Sequence, residues 1–266
     1  MTKFNNSTTT HREVEVLEAL RRLGGSARNS NIADLLGVSE ETVRRTTKAL
    51  AKSDLVRRVH GGAYLPDARV DAGVFSRIGQ RSDEKSLIAR ATARLIPDGA
   101  CVFLDVGSTT AFVAHALRKH ENLFVVTNSL NAAQSLAKRR GNRVFLTGGE
   151  LRDAEWGTFG PESEAHVRQF RFDFAVLSVD GVDVDTGFLL SAPAEAALAR
   201  AVIARAGSTV VVADHLKFGQ AAPLVMCDGD AVDCIVTDRA PERNFSEKLN
   251  AWHVKLVNAG RESATC

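Results

Sequence analysis

The first fifty residues carry three short helical patterns. Apolar residues recur at three- and four-residue intervals in positions 11–23, and a glycine pair then ends the predicted helix. A second helix is predicted to end at Gly37, and a third to begin after Ser39, whose hydroxyl is a natural N-cap. The third helix is expected to run to about Ala51. The side chains predicted to face the interior are Val16, Leu17, Leu20, Leu23, Ile32, Leu35, Leu36, Val43 and Leu50.

Beyond these helices a short hairpin is predicted over residues 55–64, with its turn at a second glycine pair. Residues 65–83 combine a proline, glycines and mixed charges without periodicity, and we interpret them as a linker. The predicted organisation is a small helical domain at 1–64, this linker, and a larger domain at 84–266.

The larger domain alternates between helical patterns and apolar runs of strand length. Helices are predicted at 83–96, 110–119, 129–139 and 193–206. Seven runs are predicted as strands, at 100–106, 123–127, 143–147, 173–179, 209–213, 232–237 and 253–257. Strands that are apolar throughout are typical of a parallel sheet with helices on both faces. The fold class is therefore α/β: a winged helix-turn-helix, then a doubly wound, mostly parallel sheet.

Charge is unevenly distributed along the 266 residues. The net charge is only +2, which excludes a uniformly basic, histone-like protein. Residues 1–66, however, carry 3 Lys and 8 Arg against 7 acidic residues, so the remainder is slightly acidic. A basic front ahead of a globular body, in a chain that is 44% apolar and 25% charged, indicates a nucleic-acid-facing head.

The cysteines and the N-terminal sequence indicate the cellular compartment of the protein. The 4 cysteines are scattered and form no C-x-x-C, so neither a disulfide framework nor structural zinc is expected, and we predict no metal and no cofactor. The first ten residues lack the apolar centre of a signal peptide, and no apolar run approaches the length of a membrane span. These features predict a cytoplasmic protein without membrane contact.

The segment that joins the second and third helices has the spacing of a helix-turn-helix. Gly37 provides the tight turn, Val38 packs the two helices together, and Ser39 caps the third. The start of that helix is expected in the major groove, where Arg bonds guanine edges and Arg or Lys neutralises phosphates. The candidate DNA contacts are Ser39, Glu40, Glu41, Thr42, Arg44, Arg45 and Lys48, with Arg57, Arg58 and His60 on the hairpin as a wing.

A three-helix packing module with a solvated basic face is the competing interpretation. Positions 44–58 hold six basic residues and one acidic residue, and such a run by itself usually marks a solvated surface. Spacing, turn, cap and wing together favour DNA binding. Glu40 and Glu41 count against it because they repel phosphate, unless one accepts a hydrogen bond from a cytosine amino group.

Polar and glycine-rich segments follow five of the predicted strands. Carboxyl ends of parallel strands meet at one edge of a sheet, so we expect these segments to form a ligand-binding rim, although each alone is also an ordinary strand-to-loop transition. Gly107 allows close backbone approach, and the helix start after it offers N–H groups to a phosphate. Asp105 and Asp214 are assigned to ligand hydroxyls and Lys217 to the phosphate. The candidate rim residues are Asp105, Gly107, Ser108, Thr109, Thr110, Thr127, Asn128, Ser129, Gly148, Gly149, Glu150, Asp180, Asp214 and Lys217.

The head resembles that of the DeoR family of bacterial transcriptional regulators. The residues that carry the resemblance are the segments 37–39 and 42–45, followed by Arg-Val-His-Gly-Gly-Ala at 58–63. Thr46 and Thr47 depart from the family, which usually has Asp-Leu there. Thr47 falls on the inward face, so its hydroxyl is expected to bond to a backbone carbonyl one turn earlier.

The rim resembles the same family's effector domain, which is related to ribose-5-phosphate isomerase and glucosamine-6-phosphate deaminase. Further matching positions are Glu84, Lys85, Leu151, Arg152, Gly160, Gly187, Glu195, His215, Phe218 and Gly219. The resemblance implies a repressor of a carbohydrate or polyol catabolic operon that a phosphorylated sugar or polyol releases from DNA. Ala199 stands where the family commonly has Lys, and Leu216 where Ser is usual; Arg200 is the candidate replacement for that lysine.

The expected partners are double-stranded operator DNA, a phosphorylated sugar or polyol effector, and further copies of the chain in a homodimer or homotetramer. One alternative is a sugar-phosphate isomerase or deaminase with a DNA-binding head, and another is a scaffold with a vestigial pocket. An enzyme needs a facing acid and base. Asp105, Asp180 or Asp214 would be the base, but the sequence offers no acid partner, so we predict a regulator without catalytic residues.

Overall fold

A computed structural model describes residues 10–22, 26–53, 55–59, 62–64 and 77–262 of the chain. The chain divides into an N-terminal unit that ends at Gln80 and a C-terminal unit that begins at Arg81. Of the predicted linker, residues 65–76 lie outside the described residues, and so does His60 of the predicted wing.

The N-terminal unit combines three helices with a small antiparallel sheet. Its elements are α1 (His11–Arg22), β1 (Ser26–Arg28), α2 (Asn29–Leu36), α3 (Glu40–Lys52), β2 (Arg57–Val59) and β3 (Gly62–Tyr64). Helix α2 ends because Gly37 takes a left-handed φ of 64°, which lets the Val38 N–H donate to the Ala33 carbonyl. The Ser39 hydroxyl accepts from the Thr42 N–H at 3.2 Å, so the predicted cap of α3 is confirmed.

The strands of the N-terminal unit pair in the order β1-β3-β2. The hairpin of β2 and β3 was predicted, and its antiparallel pairing is confirmed. Strand β1 was not predicted, because its three residues lie between two helices and are too short to show alternation.

Among the described residues, the core of the N-terminal unit differs from the prediction at one position, and the predicted core residue Leu23 lies outside those residues. The fully buried side chains include Val16, Leu20, Ile32, Val43 and Leu50, as expected. Leu35 was predicted to face inward, but it is 47% exposed. The buried face of α2 is formed by Asn29, Ile32 and Ala33, and Leu35 falls outside it.

Two buried threonines on α3 satisfy their hydroxyls within the helix. Thr47 donates to the Val43 carbonyl at 2.9 Å, and Thr46 donates to the Thr42 carbonyl at 2.9 Å. The predicted back-bonding of Thr47 is therefore confirmed. Because the hydroxyls find partners one turn earlier, the polar residues pack without leaving a buried donor unpaired.

The C-terminal unit is built on a seven-stranded parallel sheet. The sheet strands are β4 (Cys101–Leu104), β5 (Phe124–Thr127), β6 (Arg143–Leu146), β9 (Phe172–Ser178), β12 (Ala206–Val212), β14 (Cys234–Thr237) and β15 (Lys255–Asn258). They lie in the order β15-β14-β12-β9-β4-β5-β6, and every neighbouring pair is parallel. All seven predicted apolar runs are strands of this sheet.

Helices cover both faces of the sheet. They are α4 (Ser82–Leu95), α5 (Ser108–Ala116), α6 (Leu130–Leu136), α7 (Pro161–Val167), α8 (Pro193–Ile203), α9 (Arg243–Ala251) and α10 (Ala259–Glu262). Alternation along β4 divides the core: Phe103 packs with α7, α8 and α9, whereas Val102 and Leu104 pack with α4, α5, α6 and α10. The predicted doubly wound α/β architecture is therefore confirmed.

Two small antiparallel sheets were not predicted. A hairpin joins β7 (Glu150–Arg152) to β8 (Gly157–Phe159), and a second sheet contains β10 (Gly181–Asp183), β11 (Gly187–Leu190) and β13 (Leu224–Cys227). Strands β7, β8 and β10 have three residues each and contain charged, polar or glycine residues beside single apolar ones, so they form no apolar run. Strands β11 and β13 are mostly apolar, but the sequence analysis did not recognise them as strands.

The described helices are short. The longest, α4, has 14 residues, whereas a membrane span needs about 20 apolar residues. Throughout the described ranges, no helix combines the length and the apolar character that a bilayer crossing requires.

We predict that truncation of Leu50 and of Leu35 has very different effects on the N-terminal unit. Leu50→Ala removes a side chain that is 1% exposed and should lower the free energy of opening of α3 by about 2–5 kcal/mol. Leu35→Ala is the matched control and should cost less than about 1 kcal/mol. Amide hydrogen exchange of α3 in the full chain measures both changes. Equal costs would contradict the assigned core.

Candidate functional site

The strand order creates a crevice at the centre of the parallel sheet. From β4 the chain proceeds to β5 and β6 on one side, and it then returns to β9 on the other side of β4. The loops that follow β4 and β9 therefore lead away from each other. In open α/β sheets, such a switch point at the carboxyl ends of strands is where ligands bind.

Asp105 occupies this switch point, directly after β4. Its carboxylate accepts hydrogen bonds from the Val106 N–H at 2.8 Å and from the Ser178 hydroxyl at 3.1 Å, and thereby joins the ends of β4 and β9. Burial raises the pKa of Asp105 to about 6, and the charge of Asp180 adds to this, while the hydrogen bonds oppose it. Asp105 is therefore mostly ionised at neutral pH and acts as an acceptor.

Gly107 lets the turn after β4 approach β9 closely. A Cβ atom at this position would lie 2.5 Å from the Ser178 hydroxyl oxygen and 3.1 Å from the Thr110 hydroxyl oxygen, so no larger residue fits without a shift. Gly107 is also the N-cap of α5, and no described side chain caps that end. The N–H groups of Ser108 and Thr109, at the positive end of the helix, are thus available to an anion.

The three polar residues after β5 have different roles. The Thr127 hydroxyl donates to the Leu104 carbonyl at 2.6 Å, and the Ser129 hydroxyl caps α6 through the Ala132 N–H. Both hydroxyls thus hold the loop in place. Asn128 is fully buried, and neither polar atom of its amide has a hydrogen-bond partner among the described residues. Of the three, Asn128 is the one whose side chain has unused hydrogen-bonding capacity.

The hairpin of β7 and β8 packs against the ends of β5 and β6. The Thr158 N–H donates to the Asn128 carbonyl at 2.8 Å, and the Thr158 hydroxyl donates to the Thr147 carbonyl at 2.8 Å. These bonds place the hairpin beside the turn that contains Gly107, because a Cβ atom at Gly157 would meet the Val106 side chain at 3.0 Å. The hairpin therefore forms one wall of the rim.

The glycines that follow β6 serve this packing. The Gly148 carbonyl accepts a hydrogen bond from the Ser163 hydroxyl, and Gly149 has a left-handed φ of 109° with no room for a Cβ beside the Phe159 carbonyl. Glu150 is exposed at the start of β7. These three predicted rim residues shape the loop, and only Glu150 presents a side chain.

Asp180 and Lys217 meet across the rim. The Lys217 ammonium lies 3.9 Å from one oxygen of Asp180, and the other oxygen accepts the Ser191 N–H at 2.8 Å. Both side chains are partly exposed. Lys217 is therefore a cation near the charge of Asp180, which also acts on Asp105, so these three residues form one electrostatic group.

An ion pair joins the buried Asp214 to the partly exposed Arg81, the first residue of the C-terminal unit. Asp214 is 2% exposed, and the Arg81 Nε lies 3.2 Å from its carboxylate, which also accepts the Leu216 N–H at 3.1 Å. The sequence reasoning missed both Arg81 and Ser178. Ser178 carried a signal, because it is a polar residue at the end of an apolar strand; Arg81 carried none.

The positions that depart from the family pattern lie in different settings. Ala199 is buried on α8, and Leu216 is 46% exposed. Arg200, the candidate replacement for the family lysine, donates to the Val225 carbonyl of β13 at 2.8 Å. The guanidinium of Arg200 is thus held by the small antiparallel sheet.

On the N-terminal unit, the cations of α3 differ in their pairing. Arg44 lies 3.8 Å from Glu40 and 3.5 Å from Glu41, so the two glutamates sit against an arginine on the same helix. Arg45 and Lys48 are exposed and form no ion pair with any described residue. Exposed pairs such as those of Arg44 contribute little and break easily. Of the predicted DNA contacts on α3, Arg45 and Lys48 are therefore the cations without an acidic partner among the described residues.

The remaining predicted DNA contacts are only partly described. Ser39 and Thr42 hydrogen-bond to each other at the start of α3. Arg57 and Arg58 belong to β2, and the Arg58 side chain is exposed. His60 lies outside the described residues.

Comparison with known proteins matches both units to one family. Residues 12–69 match the DeoR-like helix-turn-helix domain, and residues 80–239 match the DeoR C-terminal sensor domain. The glycerol-3-phosphate regulon repressor of Escherichia coli is 36% identical over 93% of this chain and 98% of its own length. The repressor of the same name from Haemophilus influenzae is 37% identical over 84% and 86%.

A third relative, the transcriptional repressor CsqR of Escherichia coli, is 33% identical over 85% of this chain and 87% of its own. Among solved structures, a D-ribose-5-phosphate isomerase in complex with phospho-erythronic acid aligns with 52% of this chain and 54% of its own, at 19% identity and a TM-score of 0.38. With both domains matched in order and relatives aligned over nearly the whole length, the chain belongs to the DeoR family.

Proposed function

We propose that this chain is a cytoplasmic, homo-oligomeric transcriptional repressor of a carbohydrate or polyol catabolic operon. A phosphorylated sugar or polyol that binds the rim releases it from operator DNA. The observation that carries the proposal is the combination, in one chain, of a capped recognition helix with available cations and a switch-point crevice with an open helix N-terminus. The predicted domain boundaries, 1–64 and 84–266, belong to the same proposal.

Operator binding rests on α3. Its first turn is fixed by the Ser39 cap, and Arg45 and Lys48 are exposed on one side of it. An arginine at the start of a recognition helix reads guanine through two hydrogen bonds, whereas a lysine further along neutralises phosphate. We assign base contact to Arg45 and backbone contact to Lys48, with Arg44, Arg57, Arg58 and His60 as further phosphate contacts.

Effector binding rests on the rim. The N–H groups at the start of α5 and the Lys217 ammonium supply positive charge for a phosphate, while Asp105, Asn128 and Asp180 supply hydrogen-bonding groups for hydroxyls. Two relatives are named as glycerol-3-phosphate regulon repressors, so sn-glycerol 3-phosphate is the first effector to test. A tenfold change in operator affinity needs about 1.4 kcal/mol of coupling between the two sites.

Arg45→Ala should weaken operator binding by about 5- to 150-fold, because a bidentate contact to a base contributes about 1–3 kcal/mol. The measurement is a mobility shift on a duplex that the protein itself selects from a random pool. Arg12→Ala is the matched control, since Arg12 on α1 pairs with Glu15 at 2.7 Å and is not assigned to DNA. Equal affinities of the Arg45 variant and the wild type would refute the assignment of α3 to the groove.

Lys217→Ala should weaken effector binding by about 10- to 150-fold while operator affinity without effector stays unchanged, because a hydrogen bond to a charged group contributes about 1.5–3 kcal/mol. Titration of the protein–operator complex with sn-glycerol 3-phosphate and a panel of phosphorylated sugars measures release.

The control for this experiment is Lys255→Ala, which removes an exposed lysine on the edge strand β15. That variant should respond to effector like the wild type. Normal release of the Lys217 variant would remove Lys217 from the phosphate site. Multiple turnovers of any sugar phosphate in the panel would instead show an enzyme and overturn the proposed sensor.

A further inference from the structure

A second concave site lies at the amino ends of β4, β5 and β6, whereas the rim lies at the carboxyl ends of the strands. It has a volume of about 910 Å³, and we call it the basic groove. Helix α4 contributes Arg90 and Arg94, the turn after α5 contributes Arg118 and Lys119, and the segment that leads into β6 contributes residues 138–140. Seven arginine and lysine side chains therefore line it, and among the described residues no acidic side chain does.

The basic groove brings several positive charges close together. Arg140 pairs with Glu121 at 2.7 Å, outside the lining. The pKa of His115, which lines the groove, is lowered by burial and further by the charges of Arg118 and Arg139. The imidazole therefore lies close to the positive charges of both arginines. A concave surface concentrates the field of such charges and so attracts anions.

The basic groove also has an apolar lining. Ala89, Ala93 and Ile96 of the α4 segment and Phe112 and Ala116 of α5 contribute to it. Phe112 is partly exposed, so its ring is accessible to a planar group. A volume near 900 Å³ with apolar and aromatic lining falls in the range typical of small-molecule sites.

The backbone presents two of the cations in an unusual conformation. Lys138 and Arg140 have left-handed φ angles of 58° and 40°, a backbone conformation that residues other than glycine rarely adopt. The Arg140 carbonyl is held by the Asn122 N–H at 2.9 Å, and the Asn142 N–H donates to the Arg139 carbonyl at 2.7 Å. Strained positions of this kind persist where the surroundings enforce them, often at ligand-binding sites.

We propose that the basic groove binds a small polyphosphate ester with a planar apolar part, of the nucleoside polyphosphate class. A single phosphate ester carries about −2 charge, which is little against seven cations, whereas a polyphosphate matches several of them. Arginine forks suit phosphate oxygens, and Phe112 suits a stacked base. This site is separate from the rim, and the proposal is independent of the effector assigned there.

Calorimetric titration of the full chain with ATP, tripolyphosphate and adenosine tests the proposal. ATP should bind, tripolyphosphate more weakly and adenosine not at all, and ATP binding should weaken as salt rises. The double variant Arg118→Ala/Arg139→Ala should bind ATP at least tenfold more weakly. The control Arg168→Ala/Arg243→Ala removes two exposed arginines, Arg168 at the end of α7 and Arg243 on α9. This control should bind ATP like the wild type.

Amide hydrogen exchange of the wild type gives a readout that needs no variant: ATP should slow exchange at residues 112–120 and 137–142. Lys217→Ala should leave ATP binding unchanged, and its loss in that variant would place ATP at the rim instead. No ATP binding by the wild type, or equal binding by the groove variant, would overturn the proposal. Loss of affinity for random duplex in the groove variant, without any ATP binding, would make this surface a DNA contact instead.

Discussion

The contact of Asp105 and Gly107 with Ser178 governs the architecture of the rim. It joins the ends of β4 and β9, the two strands between which the chain reverses its direction across the sheet. Because Gly107 has no side chain, the turn fits against Ser178, and α5 then starts with uncapped N–H groups beside the crevice. A ligand that reaches this turn would contact the centre of the sheet. Helices pack on both faces there, so the strands have little room to shift.

Charge around the rim is arranged in pairs rather than as one positive patch. Asp180 lies near Lys217, and the buried carboxylate of Asp214 lies against Arg81. In the proposed function, a phosphate at Lys217 would compete with Asp180 for the ammonium, and a ligand group at Asp214 would compete with Arg81 for the carboxylate. Arg81 begins the C-terminal unit, so the second exchange alters the contacts of the residue at which that unit starts. Exchanges of this kind would supply the differential contacts that the proposed switch between two states requires.

Much of the fold could be predicted from periodicity. The seven apolar runs became the seven parallel strands, and the cap at Ser39 and the hydroxyl bond of Thr47 appear as expected. Leu35 was misplaced, because a helix of eight residues defines its buried face too loosely for the pattern to separate adjacent positions. The two small antiparallel sheets of the C-terminal unit were missed, because three of their five strands interrupt apolar residues with charged, polar or glycine residues and so form no apolar run.

The sequence by itself determined the elements of this protein, the edge of the sheet at which its polar segments meet, and the family to which the motifs point, because these depend on local pattern and spacing. The tertiary structure decided which polar groups are already engaged. It showed that Thr127 and Ser129 hold the loop while the amide of Asn128 is unpaired among the described residues, and that Arg81 reaches Asp214 from a distant part of the chain. Partners brought together by the crossing of strands leave no periodic trace in the chain, and therefore only the folded arrangement reveals them.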